Sequence, residues 1–319
     1  MKKYLGPFYL LMAFSLAGTS VISAKAVSGK LGVFTITSAS LFFALLLLLP
    51  ACGGKIPQNF LAMSAKDRIQ LVFQAVFGIF LFRLFLISGL LHTSSAEAGI
   101  LTGATPAITA AFAAILLKER LNRKKFIGIF STVCGILILQ GLFQAGGSFS
   151  LEHFGGNLLV LCAAASESTF NLISRVFAVK NESHHKAPFP PLVQTALVSI
   201  AALILCVIPA LFENPVRSLS LIGPAEWLAL GWYGVFVTAF AFFCWYQGIS
   251  RCGAMTAAAF SGMMPFTSML LSVVILGEKA QWQQWLGGAL VISGMVFIGT
   301  GASVGATAKP DIKTACGHC

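Results

Sequence analysis

Charge is scarce in this chain. Only 10 % of its 319 residues are Asp, Glu, Lys or Arg, against about 25 % in an ordinary soluble domain. Hydrophobic residues make up 57 %, and the mean hydropathy is +0.87. This balance excludes a soluble globular fold and calls for a polytopic membrane protein. Equally missing are a GxxxxGK[ST] phosphate loop and an HExxH metal motif. Direct ATP drive and zinc hydrolysis therefore have no sequence support. No catalytic residue, cofactor or metal site is expected, and there is no polar stretch long enough for a large soluble domain.

The apolar runs, taken in order, predict an all-α integral membrane protein of ten transmembrane helices, near 6–24, 32–50, 69–91, 94–117, 126–143, 157–178, 191–211, 227–247, 253–276 and 284–301. The net charge of +11 would suit nucleic acid only if the cations shared a soluble face, and they do not. With a cytoplasmic N-terminus, only Lys25, Lys30, Arg217 and Lys279 of the 21 Lys and Arg fall outside, and Arg83 falls within a span. This positive-inside bias places both termini in the cytoplasm. Lys2, Lys3 and Ala24-Lys25-Ala26 imitate a cleaved signal peptide, but cleavage would leave nine helices and spoil the symmetry that follows.

The stretch from Gly89 to Gly135 recurs from Gly248 to Gly294 without a gap. An offset of 159 carries Gly103 to Gly262, Pro106 to Pro265, Glu119 to Glu278, Gly128 to Gly287 and Gly135 to Gly294. The chain thus reads as a first repeat over 1–143, an external linker over 144–156, a second repeat over 157–301 and a cytoplasmic tail over 302–319. Five spans per repeat is an odd number, so the second repeat enters the membrane upside down. Two inverted five-helix repeats are a signature of secondary transporters with a site near mid-membrane. Pro106 and Pro265 sit inside apolar runs, where a Pro marks either a protein-lined functional axis or a plain kink.

The small polar residues followed by Ala96-Glu97-Ala98, Pro106, Lys118-Glu119-Arg120-Leu121, Gly128 and Gly135, repeated with Pro265, Glu278, Gly287 and Gly294, closely resemble EamA-like exporters of the drug/metabolite transporter superfamily. The resemblance runs from about residue 6 to residue 300. It implies a bacterial inner-membrane carrier with a central cavity, often moving amino acids or other small metabolites outward. The sequence departs from the family where a Trp often precedes a basic residue by eight positions. Lys25 and Arg175 hold the basic places, but Ala17 and Glu167 hold the Trp places.

Three ionisable groups lie well inside spans: Arg83, Glu97 and Glu167. A charge at the bilayer centre costs about 2.5–3.5 kcal/mol on insertion scales, so each is expected to face the bundle interior or water. At 1.5 Å per residue, Arg83 lies roughly 12 Å and Glu167 roughly 15 Å below the outer surface, with Glu97 at roughly 5 Å. Depth thus predicts an Arg83–Glu167 contact, with Glu97 in upward reach of Arg83. Glu167 then reads as a proton-coupling or cation-binding carboxylate, and Arg83 as its counter-ion or a substrate anchor; a static ion pair is the alternative. Glu167, Asn171 and Ser174 share one helical face, and Ser15, Thr19 and Ser23 repeat the stripe in the first span. These stripes line a cavity or glue helices together.

Glu119 and Glu278, at turns, read as structural anchors together with Pro106 and Pro265. Trp232, Tyr233, Trp245 and Tyr246 read as interfacial anchors, and Trp245 is also a substrate contact candidate. Cys134, Cys162, Cys206 and Cys244 fall within spans and imply no disulfide framework. The terminal Cys316-Gly317-His318-Cys319 copies a redox tetrapeptide without its surrounding fold. The reading is an exporter of a small metabolite, amino acid or drug-like compound by alternating access, with protons and the lipid bilayer as further partners and no nucleic acid. An intramembrane enzyme or lipid-modifying protein is the alternative class, and a passive channel a third.

Overall fold

The computed structural model describes residues 2–116, 122–139, 151–183, 190–245, 247–248, 260, 263–279 and 281–301. Described secondary structure is almost wholly helical. In order run α1 (Lys2–Val27), α2 (Val33–Cys52), α3 (Lys55–Ala62), α4 (Ala65–Ala75), a π-helical segment (Val76–Leu81), α5 (Phe82–Leu90), α6 (Ser95–Thr102), α7 (Thr105–Leu116), α8 (Arg123–Leu139), α9 (Leu151–Ser183), α10 (Pro191–Leu211), α11 (Pro215–Leu221), α12 (Pro224–Trp232) and a second π-helical segment (Tyr233–Phe240). Two further helices, Met263–Leu276 and Trp282–Gly301, complete the description. Among the described residues, six helical stretches are long and apolar enough to cross a membrane: Leu5–Val27, Val33–Cys52, Ala65–Leu90, Ser95–Leu116, Leu192–Leu211 and Pro224–Trp245. Met263–Leu276 and Trp282–Ile298 are shorter and apolar.

Apolar side chains face outward as well as inward, as a bilayer allows. Phe42, Leu46, Ile204, Ile208 and Val274 are all exposed. Inside, one core joins Val21, Ile36, Leu86, Leu90, Ile100, Tyr233 and Val291. A second joins Leu41, Leu48, Leu71, Val193 and Ala202. Helices approach closely where side chains are small, the usual basis of helix association in lipid. A Cβ on Gly128 would lie 2.6 Å from the carbonyl oxygen of Gly294, and one on Gly135 would lie 2.7 Å from that of Gly287. The lower number of one helix thus meets the higher number of the other, so α8 and the last helix run antiparallel. Gly128 and Gly287, and Gly135 and Gly294, are also the pairs that the 159 offset relates.

The two π-helical segments fall in the same register of the duplication, since 76 and 81 map to 235 and 240. A π turn frees a carbonyl from its usual partner. Hydroxyls bond to carbonyls of both segments: Ser166 Oγ donates to the Phe77 carbonyl at 2.7 Å and Thr238 Oγ1 to the Tyr233 carbonyl at 2.9 Å.

The structure revises several sequence-based boundaries. Helix α9 starts at Leu151, inside the expected 144–156 linker, and the connection between the expected second and third spans contains α3, whose residues are all at least partly exposed. The fourth span is not one kinked helix. It breaks at Gly103-Ala104, with α7 beginning at Thr105. Pro106 therefore occupies a first helical turn, where its missing N–H leaves no bond unmade. Pro265 lies within the described helix Met263–Leu276.

Candidate functional site

The break in the fourth span is held by a short chain of hydroxyls. Thr102 Oγ1 donates to the Gly99 carbonyl at 2.8 Å, and Thr105 Oγ1 lies 2.8 Å from the Thr102 carbonyl. The Thr105 hydroxyl also lies 2.9 Å from Glu167 Oε2, and Ser168 Oγ is 3.0 Å from the Thr105 carbonyl. Glu167 therefore stands at the N-terminal turn of α7, where exposed backbone N–H groups favour negative charge. Its residue is only partly buried, flanked by buried Ser166 and Ser168. No described cation lies within ion-pair distance of it.

The expected Arg83–Glu167 contact is not formed. Arg83, 5 % exposed, donates from Nη1 to Ser40 Oγ at 2.5 Å and from Nη2 to Thr238 Oγ1 at 2.7 Å. Its guanidinium carbon sits 4.2 Å from the centre of the Tyr233 ring. Depth fixes one coordinate of a side chain, and rotation about the helix axis fixes the other. Arg83 points to α2 and the second π segment, while Glu167 points to α7. Tyr233, expected at the membrane interface, is instead buried beneath Arg83. Its place nine residues into the Pro224–Trp245 stretch was the available signal.

The polar stripes divide in role. Thr19 Oγ1 donates to the Leu16 carbonyl at 2.6 Å and accepts from Trp232 Nε1 at 2.9 Å, and Ser23 Oγ donates to the Thr19 carbonyl at 3.0 Å. In the first span, Thr19 thus ties α1 to α12. Ser15 is partly buried on the same helix. On α9, Asn171 is partly buried and Ser174 Oγ is enclosed without a hydrogen-bond partner. Trp245 is partly buried at the end of its span.

Glu97 belongs to a separate cluster at the other end of α6. Its Oε2 accepts from Asn157 Nδ2 at 3.0 Å and Thr93 Oγ1 at 3.1 Å, and lies 3.3 Å from His153 Nδ1. Its Oε1 accepts from Gln284 Nε2 at 3.2 Å. The backbone N–H of Glu97 donates to Ser94 Oγ at 3.2 Å, the ordinary N-cap bond. Glu278, just after the Met263–Leu276 helix, completes the cap, accepting from the backbone N–H groups of Ser95 at 3.0 Å and Ala96 at 3.1 Å. The helix that Glu278 caps is α6, not a sequence neighbour. Glu119, the counterpart of Glu278, lies outside the described residues, as do Tyr246 and the Cys-Gly-His-Cys tail. Glu213, missed from sequence, does the same for α2 through Phe34 N at 3.1 Å and Thr35 N at 2.7 Å. Thr105, Ser40, Thr238, Asn157, His153 and Gln284 were also missed. Each is uncharged or an isolated polar residue, so no spacing motif marks it.

Comparison with known proteins agrees with this architecture. The sequence pattern of the EamA-like transporter family matches residues 5–140 and 154–300. The uncharacterized transporter YetK of Bacillus subtilis (strain 168) is 31 % identical over 299 residues, 92 % of this chain and 87 % of that protein. A probable amino-acid metabolite efflux pump of Salmonella typhimurium (strain LT2) is 26 % identical over 204 residues, 63 % of this chain and 66 % of that protein. One crystal structure superposes with a TM-score of 0.64 at 22 % identity, over 94 % of this chain and 99 % of that one, a likeness of fold. The helices that bring two matched segments together around these polar clusters are those of a membrane transporter, and the chain belongs to the EamA-like transporter family.

Proposed function

We propose that the chain is a secondary carrier that exports a small metabolite by alternating access, with Glu167 exchanging a proton during the cycle. The observation that carries this reading is the placement of Glu167 at the broken fourth span, bonded to Thr105 and unpaired with any described cation. A static ion pair would need a partner at that point. A carboxyl at a helix break instead has a neutral donor on one side and partial exposure on the other, which suits gain and loss of a proton. Interrupted helices whose ends face the membrane interior are a general device of secondary transporters. The efflux pump relative supports an outward direction and a solute of amino-acid size.

The full architecture in this reading is ten spans in two inverted five-helix repeats, 1–143 and 157–301, joined by an external linker at 144–156 and followed by a cytoplasmic tail at 302–319. The antiparallel Gly128–Gly294 and Gly135–Gly287 seam and the matched π-helical registers support it. The distribution of Lys and Arg supports cytoplasmic termini in a bacterial inner membrane. Asn171 and Ser174 continue the polar face of Glu167 and line the route, Ser15 flanks it from α1, and Trp245 contacts solute at its inner end.

The test is mass spectrometry of medium and cytosol from cells overproducing the wild type or Glu167→Gln at two external pH values. An unmodified solute moving into the medium with the wild type alone, and more with a proton gradient, is expected. Equal export by both proteins removes the coupling role of Glu167. A new mass without redistribution removes the carrier reading altogether.

A further inference from the structure

Arg83 presents a physical problem that the carrier reading leaves open. It lies in the Ala65–Leu90 stretch, long and apolar enough to span a membrane, and is almost fully enclosed. A cation at such depth costs about 2.5–3.5 kcal/mol even on insertion scales and is normally compensated. Among the described residues no carboxylate pairs with it. Its partners, Ser40, Thr238 and the Tyr233 ring, are all neutral. They orient the guanidinium without neutralising it.

The surroundings are organised for that orientation. The Ser40 hydroxyl donates its proton to the Thr37 carbonyl at 3.0 Å, and the Thr238 hydroxyl donates to the Tyr233 carbonyl at 2.9 Å. Both oxygens therefore turn lone pairs toward Arg83. A guanidinium carries five N–H donors in a planar fork, and these two bonds leave Nε–H and one N–H on each Nη. Tyr233 supplies a second unmet donor, since its hydroxyl is buried without a hydrogen-bond partner. Buried polar groups left without a partner call for an explanation such as an absent ligand. Two-oxygen anions match an arginine fork in a way that a lysine ammonium does not.

We infer that Arg83 anchors the carboxylate of an organic solute, with the Tyr233 hydroxyl as a neighbouring donor. This rests on the carrier reading and names the class of its cargo. The enclosed guanidinium belongs to a state sealed on both sides at this level. Entry requires α2 or the second π segment to move from Arg83, and π-helical turns are frequent at functional sites of that kind. The plain alternative is a tie between helices. A tie predicts loss of stability on substitution but no preference for carboxylates.

The experiment is equilibrium binding to the purified full chain in detergent, using matched pairs: phenylacetate and phenylacetamide, 4-methylvalerate and its amide, succinate and succinamide. In at least one pair the wild type is expected to bind the carboxylate about tenfold or more tightly than the amide, a difference of about 1.4 kcal/mol. Arg83→Gln is expected to erase that preference, and Arg83→Lys, which keeps the charge and loses the fork, to reduce it. Tyr233→Phe tests the same site without touching the cation, and is expected to weaken the carboxylate more than the amide. The inference is overturned if no carboxylate is preferred in any pair. It is also overturned if the preference survives in Arg83→Gln, or, should that variant not fold, is unchanged in both Arg83→Lys and Tyr233→Phe. Binding needs no gradient, so absence of any carboxylate preference in the wild type overturns this inference alone, while absent export with the preference intact overturns the carrier reading alone.

Discussion

Two side chains of opposite charge divide the interior between them. Glu167 is held by a hydroxyl at a helix break, and Arg83 by two hydroxyls and an aromatic face. Because they are not partners, substitutions at the two sites should add rather than compensate. Thr105 offers a finer test. Thr105→Val keeps the shape of the side chain and removes the donor to Glu167, so the pH midpoint of transport is expected to move while the maximal rate falls by less than about tenfold, the scale of one hydrogen bond. Ser168→Ala removes the neighbouring bond to the Thr105 carbonyl and should leave that midpoint in place. Transport into vesicles across a pH series measures both. From sequence, the ionisable residues were legible because charge inside an apolar run is conspicuous. Thr105 and Thr238 were not, since an isolated Thr in a span is ordinary.

Helix ends are secured at the element scale by carboxylates from distant parts of the chain. Glu278 meets two free N–H groups at the start of α6, and Glu213 meets two at the start of α2. Caps of this type contribute about 0.5–2 kcal/mol. Glu278→Ala should therefore lower the melting temperature and speed hydrogen exchange at Ser95 and Ala96, while Glu226→Ala, at an exposed pair with Lys30, should leave exchange at those two amides unchanged. The glycine seam carries a second element-scale expectation. Gly128→Ala places a methyl 2.6 Å from both the Gly294 carbonyl oxygen and Ile298 Cγ1, and overpacking of this kind costs about 1–3 kcal/mol. A drop in thermal stability without a change in solute preference is the expected result. Spacing in the sequence exposed the glycines and the duplicated Glu. It did not reveal which helix each would meet, because a cap or a close crossing is a relation between elements far apart in the chain.

At the scale of the whole molecule, the Glu97 cluster joins the two matched segments at one end, through Thr93, Asn157 and Gln284, with His153 beside them. Alternating access requires that such a tie open. Glu97→Gln replaces an acceptor facing two amide donors, so it should loosen that end. In a background otherwise free of cysteine, Ser268→Cys, buried beside Gly99, is then expected to react faster with an impermeant thiol reagent added outside. An unchanged rate would remove Glu97 from the closure. Topology is tested separately by Arg217→Cys, expected to label from outside, and Lys66→Cys, expected to label only after the cells are opened.

Composition, apolar run length and the 159-residue recurrence were enough to establish a duplicated, helical membrane protein and the family it resembles. Those properties are local or periodic, and a bilayer forces apolar runs to satisfy their backbone bonds within helices. Only the tertiary structure decided that the fourth span breaks before Pro106, that Tyr233 lies under Arg83, and that Arg83 and Glu167 face different neighbours. Each depends on the rotation and crossing of packed helices. That geometry is set by small-residue contacts such as Gly128 on Gly294 and Gly99 beside Ser268, contacts between residues more than 150 positions apart that no single run of sequence encodes.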